Sequence, residues 1–108
     1  MRRAWLSTGL GAVVGAAIQS AALAGPAIAT DWFESTLTQE TCFERAEEAL
    51  NKMGLGTIER TRFSRFAQGG DYTLQVRCIA EKNMVLIITA GPSRPEVQAR
   101  QAKLVDLF

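Results

Sequence analysis

The sequence lacks histidine entirely and contains only two cysteines. Histidine is the most common general base at neutral pH, a frequent metal ligand, and the usual partner of a nucleophilic serine or cysteine. A glycine-rich phosphate loop is also missing, because Gly69-Gly70 and Gly54-x-Gly56 have the contexts of a turn and a helix end. We therefore predict no catalytic residues, no metal site and no cofactor.

An excess of charge of one sign is absent as well. The 12 basic residues nearly balance the 11 acidic residues, which gives a formal net charge of +1. Without residues 1–29, ten basic residues remain beside the same 11 acidic ones, and the net charge becomes −1. Because nucleic-acid-binding domains usually carry a strong positive excess, we predict no nucleic-acid partner.

Charged residues are missing from Ala4 to Ala29, directly after Arg2-Arg3. A basic start followed by an apolar stretch and small residues is typical of a secretory signal peptide. We expect cleavage between Ala29 and Thr30, with a cut after Ala24 as the alternative. The prediction is a cleaved signal peptide at 1–29 and a single domain at 30–108 that is periplasmic or secreted.

Two alternatives to this export route stay open. Arg2-Arg3 partly resembles a twin-arginine signal, which would mean export after folding. The uncharged stretch is also long enough to span a bilayer as an uncleaved anchor. Its glycines dilute the hydrophobicity, so we expect no stable membrane anchor after cleavage. Twin-arginine signals usually have a longer basic region, so we expect a general secretion signal.

The two cysteines, Cys42 and Cys78, both lie in the expected mature domain. Export would take them to a compartment where disulfides persist, and a domain of this size commonly needs such a crosslink. They are too far apart in sequence for a Cys-x-x-Cys redox pair. We therefore predict a structural disulfide between them.

Hydrophobic periodicity predicts an α+β fold of helix, three-stranded antiparallel meander and helix, with both helices on one face of the sheet. The first helix is expected to begin near Thr41, with Thr38 as a competing N-cap. The segment before it, Thr30 to Leu37, has no clear hydrophobic period, and we expect it to fold back onto the domain as a hydrophobic flap. The predicted elements are a helix ending at Gly54, strands over 57–66, 72–81 and 84–90, a turn over 67–71, and a second helix after Ser93.

Part of this pattern resembles that of small exported bacterial proteins of uncharacterised function. The resemblance implies the same fold and disulfide but no activity. It rests on Cys42, Ala46, Leu50, Gly54, Tyr72, Val76, Cys78 and Ala90-Gly91.

The last predicted strand has apolar residues at both alternating positions, so one set must face away from the helices. Either Met84, Leu86 and Ile88, or Val85 and Ile87, would join Ile79 as an exposed apolar patch. We interpret this patch as a partner-binding surface, unless the Trp32-Phe33 segment covers it. The candidate binding residues are Ile79, Met84, Leu86 and Ile88.

Arginines form the densest positive cluster of the mature domain. Arg60, Arg62 and Arg65 lie in one predicted strand, and Arg77 lies in the next. Such a cluster is a candidate anion-binding site, although nearby acidic side chains can also neutralise it.

The leading hypothesis is a non-catalytic interaction module that binds an unknown exported protein, or a second copy of itself, through the outer sheet face. A carrier of a small hydrophobic ligand is the second hypothesis, and it requires a cavity between helices and sheet. A carboxylate-dependent hydrolase using Glu59, Asp71 or Glu81 is the third. The chain is expected not to be an enzyme.

Overall fold

The computed structural model describes residues 25–108, which contain five strands and two α-helices. The elements are β1 (Ala27–Glu34), α1 (Gln39–Met53), β2 (Ile58–Arg60), β3 (Ser64–Gly69), β4 (Tyr72–Ile79), a 3₁₀ turn (Ala80–Lys82), β5 (Met84–Gly91) and α2 (Arg94–Leu107). The strands form one antiparallel sheet of order β1-β5-β4-β3-β2. The predicted α+β class is confirmed.

The predicted three-stranded meander is wrong in its number of strands. The segment expected to be a flap is the edge strand β1, which pairs with β5 along its whole length. The strand was not predicted because Asp31 is a charged residue at a position that faces the helices. Its carboxylate accepts a hydrogen bond of 3.0 Å from the Gln101 side chain. A regular apolar alternation is therefore interrupted in the middle of β1.

The predicted strand over 57–66 is divided into β2 and β3. At the division, the Thr61 N–H donates to the Ser64 carbonyl oxygen at 2.9 Å, and the Ser64 N–H donates to the Thr61 hydroxyl at 3.1 Å. The turn predicted over 67–71 is much shorter, because β3 continues to Gly69 and β4 begins at Tyr72.

The two helices pack against different strands of the sheet. Helix α1 packs against β3 and β4, whereas α2 packs against β5 and β1. Part of the surface on which α2 packs is therefore β1, a strand that the predicted meander did not include. Side chains of both helices and of the central strands meet in one buried core, which includes Leu50, Leu74, Ile87 and Leu104.

The ends of α1 follow from local sequence. Thr38, the competing cap, is the true N-cap: its hydroxyl accepts a 3.1 Å hydrogen bond from the Thr41 N–H. At the other end, Gly54 has a φ of 74°, a left-handed conformation that glycine adopts without strain. The predicted end of the helix at Gly54 is confirmed.

The predicted disulfide is present between Cys42 in the first turns of α1 and Cys78 near the end of β4, with their Cα atoms 6.1 Å apart. Both cysteines are buried in the core. Gln39 reinforces the same junction, since its side-chain amide donates to the Cys78 carbonyl at 2.6 Å and accepts from the Ala80 N–H at 2.9 Å. The start of α1 is therefore fixed to the end of β4 by a covalent bond and two hydrogen bonds.

The signal-peptide prediction falls mainly on residues 1–24, which lie outside the described residues. Its expected cut, between Ala29 and Thr30, falls inside β1, where Ala27 pairs with Gly91 and Ala29 pairs with Thr89. The alternative cut after Ala24 precedes the strand. Among residues 25–108, neither helix has the length and apolar character needed to cross a bilayer.

Candidate interaction surface

The pairing of β4 with β5 fixes which side chains lie on the sheet face opposite the helices. Val76 and Cys78 point into the core, so Arg77 and Ile79 point outward. Their partners on β5 are Leu86 and Met84, respectively.

Ile88 shares this outward orientation, because it alternates with Leu86 and Met84 along β5. All three side chains are partly exposed, whereas Val85 and Ile87 are buried. Of the two sets that the sequence left open, the one on the outer face is therefore Met84, Leu86 and Ile88.

Strand β1 extends this apolar surface and does not cover it. Trp32 lies opposite Leu86, and Ile28 lies opposite Ala90. Trp32 is 62% exposed and Ile28 is 64% exposed. Together with the four predicted residues they form the outer patch: Ile28, Trp32, Ile79, Met84, Leu86 and Ile88.

Two members of the outer patch were not predicted from the sequence, for different reasons. Ile28 fell within the predicted signal peptide, and Trp32 was assigned to a flap. The adjacent Phe33 points to the opposite side of the sheet, where its ring centroid lies 5.9 Å from that of Phe108. The alternation between Trp32 and Phe33 was the available signal for a strand.

A buried polar network anchors β1 beneath the outer patch. The Gln101 side chain on α2 is 4% exposed. Its amide nitrogen donates to Asp31 at 3.0 Å and to the Ile87 carbonyl oxygen at 2.7 Å, and its amide oxygen accepts from the Thr89 hydroxyl at 2.7 Å. This network ties helix α2 to both β1 and β5.

The predicted arginine cluster is divided between two environments. Arg60 and Arg65 both bind Glu47 on α1, with nitrogen–oxygen distances of 2.8 Å. The hydrogen bond from Arg60, assisted by that from Arg65, lowers the pKa of Glu47 against the opposing effect of burial, and the same bond raises the pKa of Arg60. The Arg65 guanidinium also stacks 3.7 Å from the centroid of the Phe43 ring. These two arginines hold α1 against β2 and β3.

The other two arginines flank the outer patch. The Arg62 and Arg77 guanidinium carbons lie 5.1 Å and 5.5 Å from the centroid of the Phe63 ring. Arg77 also donates to the Ser64 hydroxyl at 3.2 Å. Among the residues that the structure describes, neither guanidinium forms an ion pair. Their charge therefore remains available at the border of the patch.

The carboxylates considered for hydrolysis are spread over the sheet. Asp71 and Glu81 flank opposite ends of the eight-residue strand β4, which places them roughly 25 Å apart at about 3.3 Å per residue. Glu59 lies on the far edge strand β2. Paired glycosidase carboxylates are about 5 to 10 Å apart, so these residues do not form such a pair. Within residues 25–108, no three carboxylate or thiol side chains are grouped as metal ligands.

The junction between α1 and the sheet is closely packed near the disulfide. The crevice beside Leu37, Cys42 and Val85 has no room for a water molecule. The described core therefore offers no cavity at this position for a hydrophobic ligand.

Comparison of the sequence with protein-family models and with curated proteins gave no match. The disulfide alone does not establish a family, so the resemblance to small exported bacterial proteins stays a hypothesis.

Proposed function

We propose that this chain is an exported, non-catalytic interaction module that binds another exported protein through the outer patch. The observation that carries the proposal is the location of the patch, on the sheet face that neither helix covers. Its two most exposed members are Ile28, at 64%, and Trp32, at 62%. Tryptophan is among the residues most enriched where binding energy is concentrated.

The sequence of β5 supports the same interpretation. A sheet with one face in water usually alternates apolar and polar residues along its strands. In β5, Leu86 and Ile88 occupy outward positions that polar residues would fill on a purely solvated face. An apolar surface of this kind is typical of a protein-binding site.

The charges at the border of the patch indicate the chemistry of the partner. Arg77 lies opposite Leu86 in the sheet, and Arg62 stacks on the same phenylalanine ring as Arg77. An apolar partner surface with carboxylates beside it would complement this arrangement. We therefore expect an acidic rim on the partner, and an affinity that falls with increasing salt.

The test is capture of proteins from an exported-protein extract of the native host by tagged residues 25–108. A Leu86→Asp variant places a charge in the centre of the patch. The matched control, Ala102→Asp, adds the same charge at an exposed position on α2. Circular dichroism verifies that both variants fold.

The proposal predicts a protein that the Ala102→Asp variant retains and the Leu86→Asp variant loses. With that protein purified, Arg77→Gln should weaken binding and reduce its salt dependence. No captured protein, or equal capture by both aspartate variants, would contradict the proposal.

A further inference from the structure

The two edges of the sheet differ in how they are protected against pairing with another strand. Strand β2 is three residues long and ends in the charged pair Glu59 and Arg60, which are common protections of an edge. Strand β1 has eight residues, with neither proline nor lysine between Ala27 and Glu34. Its charged residues are Asp31, which points toward the helices and accepts a hydrogen bond from Gln101, and Glu34 at its end. Strand β1 is therefore the longer edge, and its protection is limited to these two acidic residues.

The hydrogen bonds of β1 define which of its backbone groups are directed outward. The Ser35 N–H donates to the Asn83 carbonyl oxygen at 3.0 Å, so residue 35 directs its N–H toward β5. Because backbone direction alternates along a strand, the N–H and C=O groups of Ile28, Thr30 and Trp32 are directed away from the sheet. Among the described residues, no strand pairs with this edge.

We propose that a second copy of this chain binds here, with the two β1 strands antiparallel about a twofold axis at Thr30. This pairing joins the two sheets into one sheet of ten strands. It goes beyond the proposed function, because it uses the edge of the sheet and not its outer face.

The register follows from the sequence of β1. In the dimer, the outward-directed backbone N–H and C=O groups of one β1 strand must face those of the other. Two registers meet this condition with the longest overlap. One is centred on Thr30 and pairs residues 27–33, and the other is centred on Asp31 and pairs residues 28–34. The second register places two Asp31 carboxylates directly opposite each other, which is unfavourable. The Thr30 register avoids this repulsion.

The Thr30 register also brings exposed apolar residues together. Trp32 of each copy lies opposite Ile28 of the other, on the same sheet face. These are the large apolar side chains with the highest exposure among the described residues, at 62% and 64%. Pairs of an aromatic and a β-branched residue are favourable across strands, and about six backbone hydrogen bonds would form between the copies. The spacing of Ile28 and Trp32 around Thr30 is thus self-complementary.

The first test is the mass of residues 25–108 by size-exclusion chromatography with light scattering over a dilution series. We expect the mass of two chains at high concentration and of one chain after dilution. Thr30→Asp should raise the dissociation constant at least fivefold, because it places like charges on the twofold axis. Gln68→Asp is the matched control, an exposed outer-face position on β3 that should leave the dimer unchanged.

The second test identifies the surface. In the dimer, the amide protons of Ile28, Thr30 and Trp32 should exchange with solvent at least tenfold more slowly than in the diluted protein, as followed by NMR. A single-chain mass at every concentration would overturn the proposal. A dimer whose Thr30 amide exchanges as fast as in the monomer would overturn it too, because the copies would then meet elsewhere. Neither readout involves the partner of the outer patch.

Discussion

The disulfide between Cys42 and Cys78 is expected to supply a large share of the stability of the fold. The bond joins residues that are 36 positions apart. In the chain-entropy model, removing a crosslink across a loop of this length lowers the free energy of unfolding by about 4 kcal/mol. The perturbation is either reduction of the bond or the double variant Cys42→Ala with Cys78→Ala.

The magnitude matters because the domain is small. Domains of this size have a total free energy of unfolding of roughly 4 to 13 kcal/mol. Both sulfurs are buried in the core, so the double alanine variant also loses packing contacts and should be somewhat less stable than the reduced protein. We expect both forms to lie close to the limit at which the fold persists at 37 °C.

Urea unfolding followed by far-ultraviolet circular dichroism, with and without a thiol reductant, measures this difference. The double variant is the control for the reductant, which should leave its unfolding midpoint unchanged. If reduction lowers the free energy of unfolding by less than about 1 kcal/mol, the chain-entropy argument is refuted for this fold. The result would then place the stabilisation mainly in the noncovalent contacts between α1 and β4.

The remaining predictions concern the buried network, acid stability and processing. Gln101→Leu should lower the free energy of unfolding by about 2 to 3 kcal/mol, because it leaves the buried Thr89 hydroxyl without its acceptor; an unchanged urea midpoint would contradict this. The pKa of Glu47 in the folded protein is lowered from its ordinary value of 4.5. The ion pairs of Glu47 therefore stabilise the fold at pH values above 4.5, and this stabilisation is lost as the pH falls through the lowered pKa of the folded state. Glu47→Gln should therefore unfold more easily at pH 7, with a smaller loss of stability between pH 6 and pH 3 than the parent chain. If the predicted signal peptide is cleaved, the intact mass of the mature chain should correspond to a first residue of Gly25, because a cut after Ala29 would remove part of β1; a first residue of Thr30 would contradict this.

Much of the fold could be predicted from local sequence, because the responsible signals are short in range. Gly54 ends α1, and the alternation in β4 directs Cys78 into the core, where it meets Cys42. The disulfide followed from the number of cysteines and the expected compartment. These features depend on periodicity, on turn chemistry and on cysteine oxidation.

The features that sequence analysis missed depend on contacts distant in the chain. Asp31 faces the helices within β1, and its carboxylate accepts a hydrogen bond from Gln101, which lies 70 residues away in the chain. Arg60, Arg62 and Arg65 were predicted in one strand, but they lie in β2, in the turn after it and in β3, respectively. Arg60 and Arg65 face Glu47 on α1, whereas Arg77 faces outward, and this difference depends on the turn at Thr61 that separates β2 from β3.

Strand β1 connects the two proposals, because Ile28 and Trp32 belong both to the outer patch and to the edge that a second copy would use. In the Thr30 register, the patches of the two copies become continuous across the twofold axis, so one partner could contact both. The affinity of the two copies for each other is expected to depend on how many residues of β1 pair across the twofold axis. A chain that began at Thr30 would lack Ile28, and with it the residue that faces Trp32 in the dimer. Cleavage of the predicted signal peptide before Gly25 would therefore preserve the proposed dimer, whereas cleavage before Thr30 would remove the contacts between Ile28 and Trp32 on which it depends.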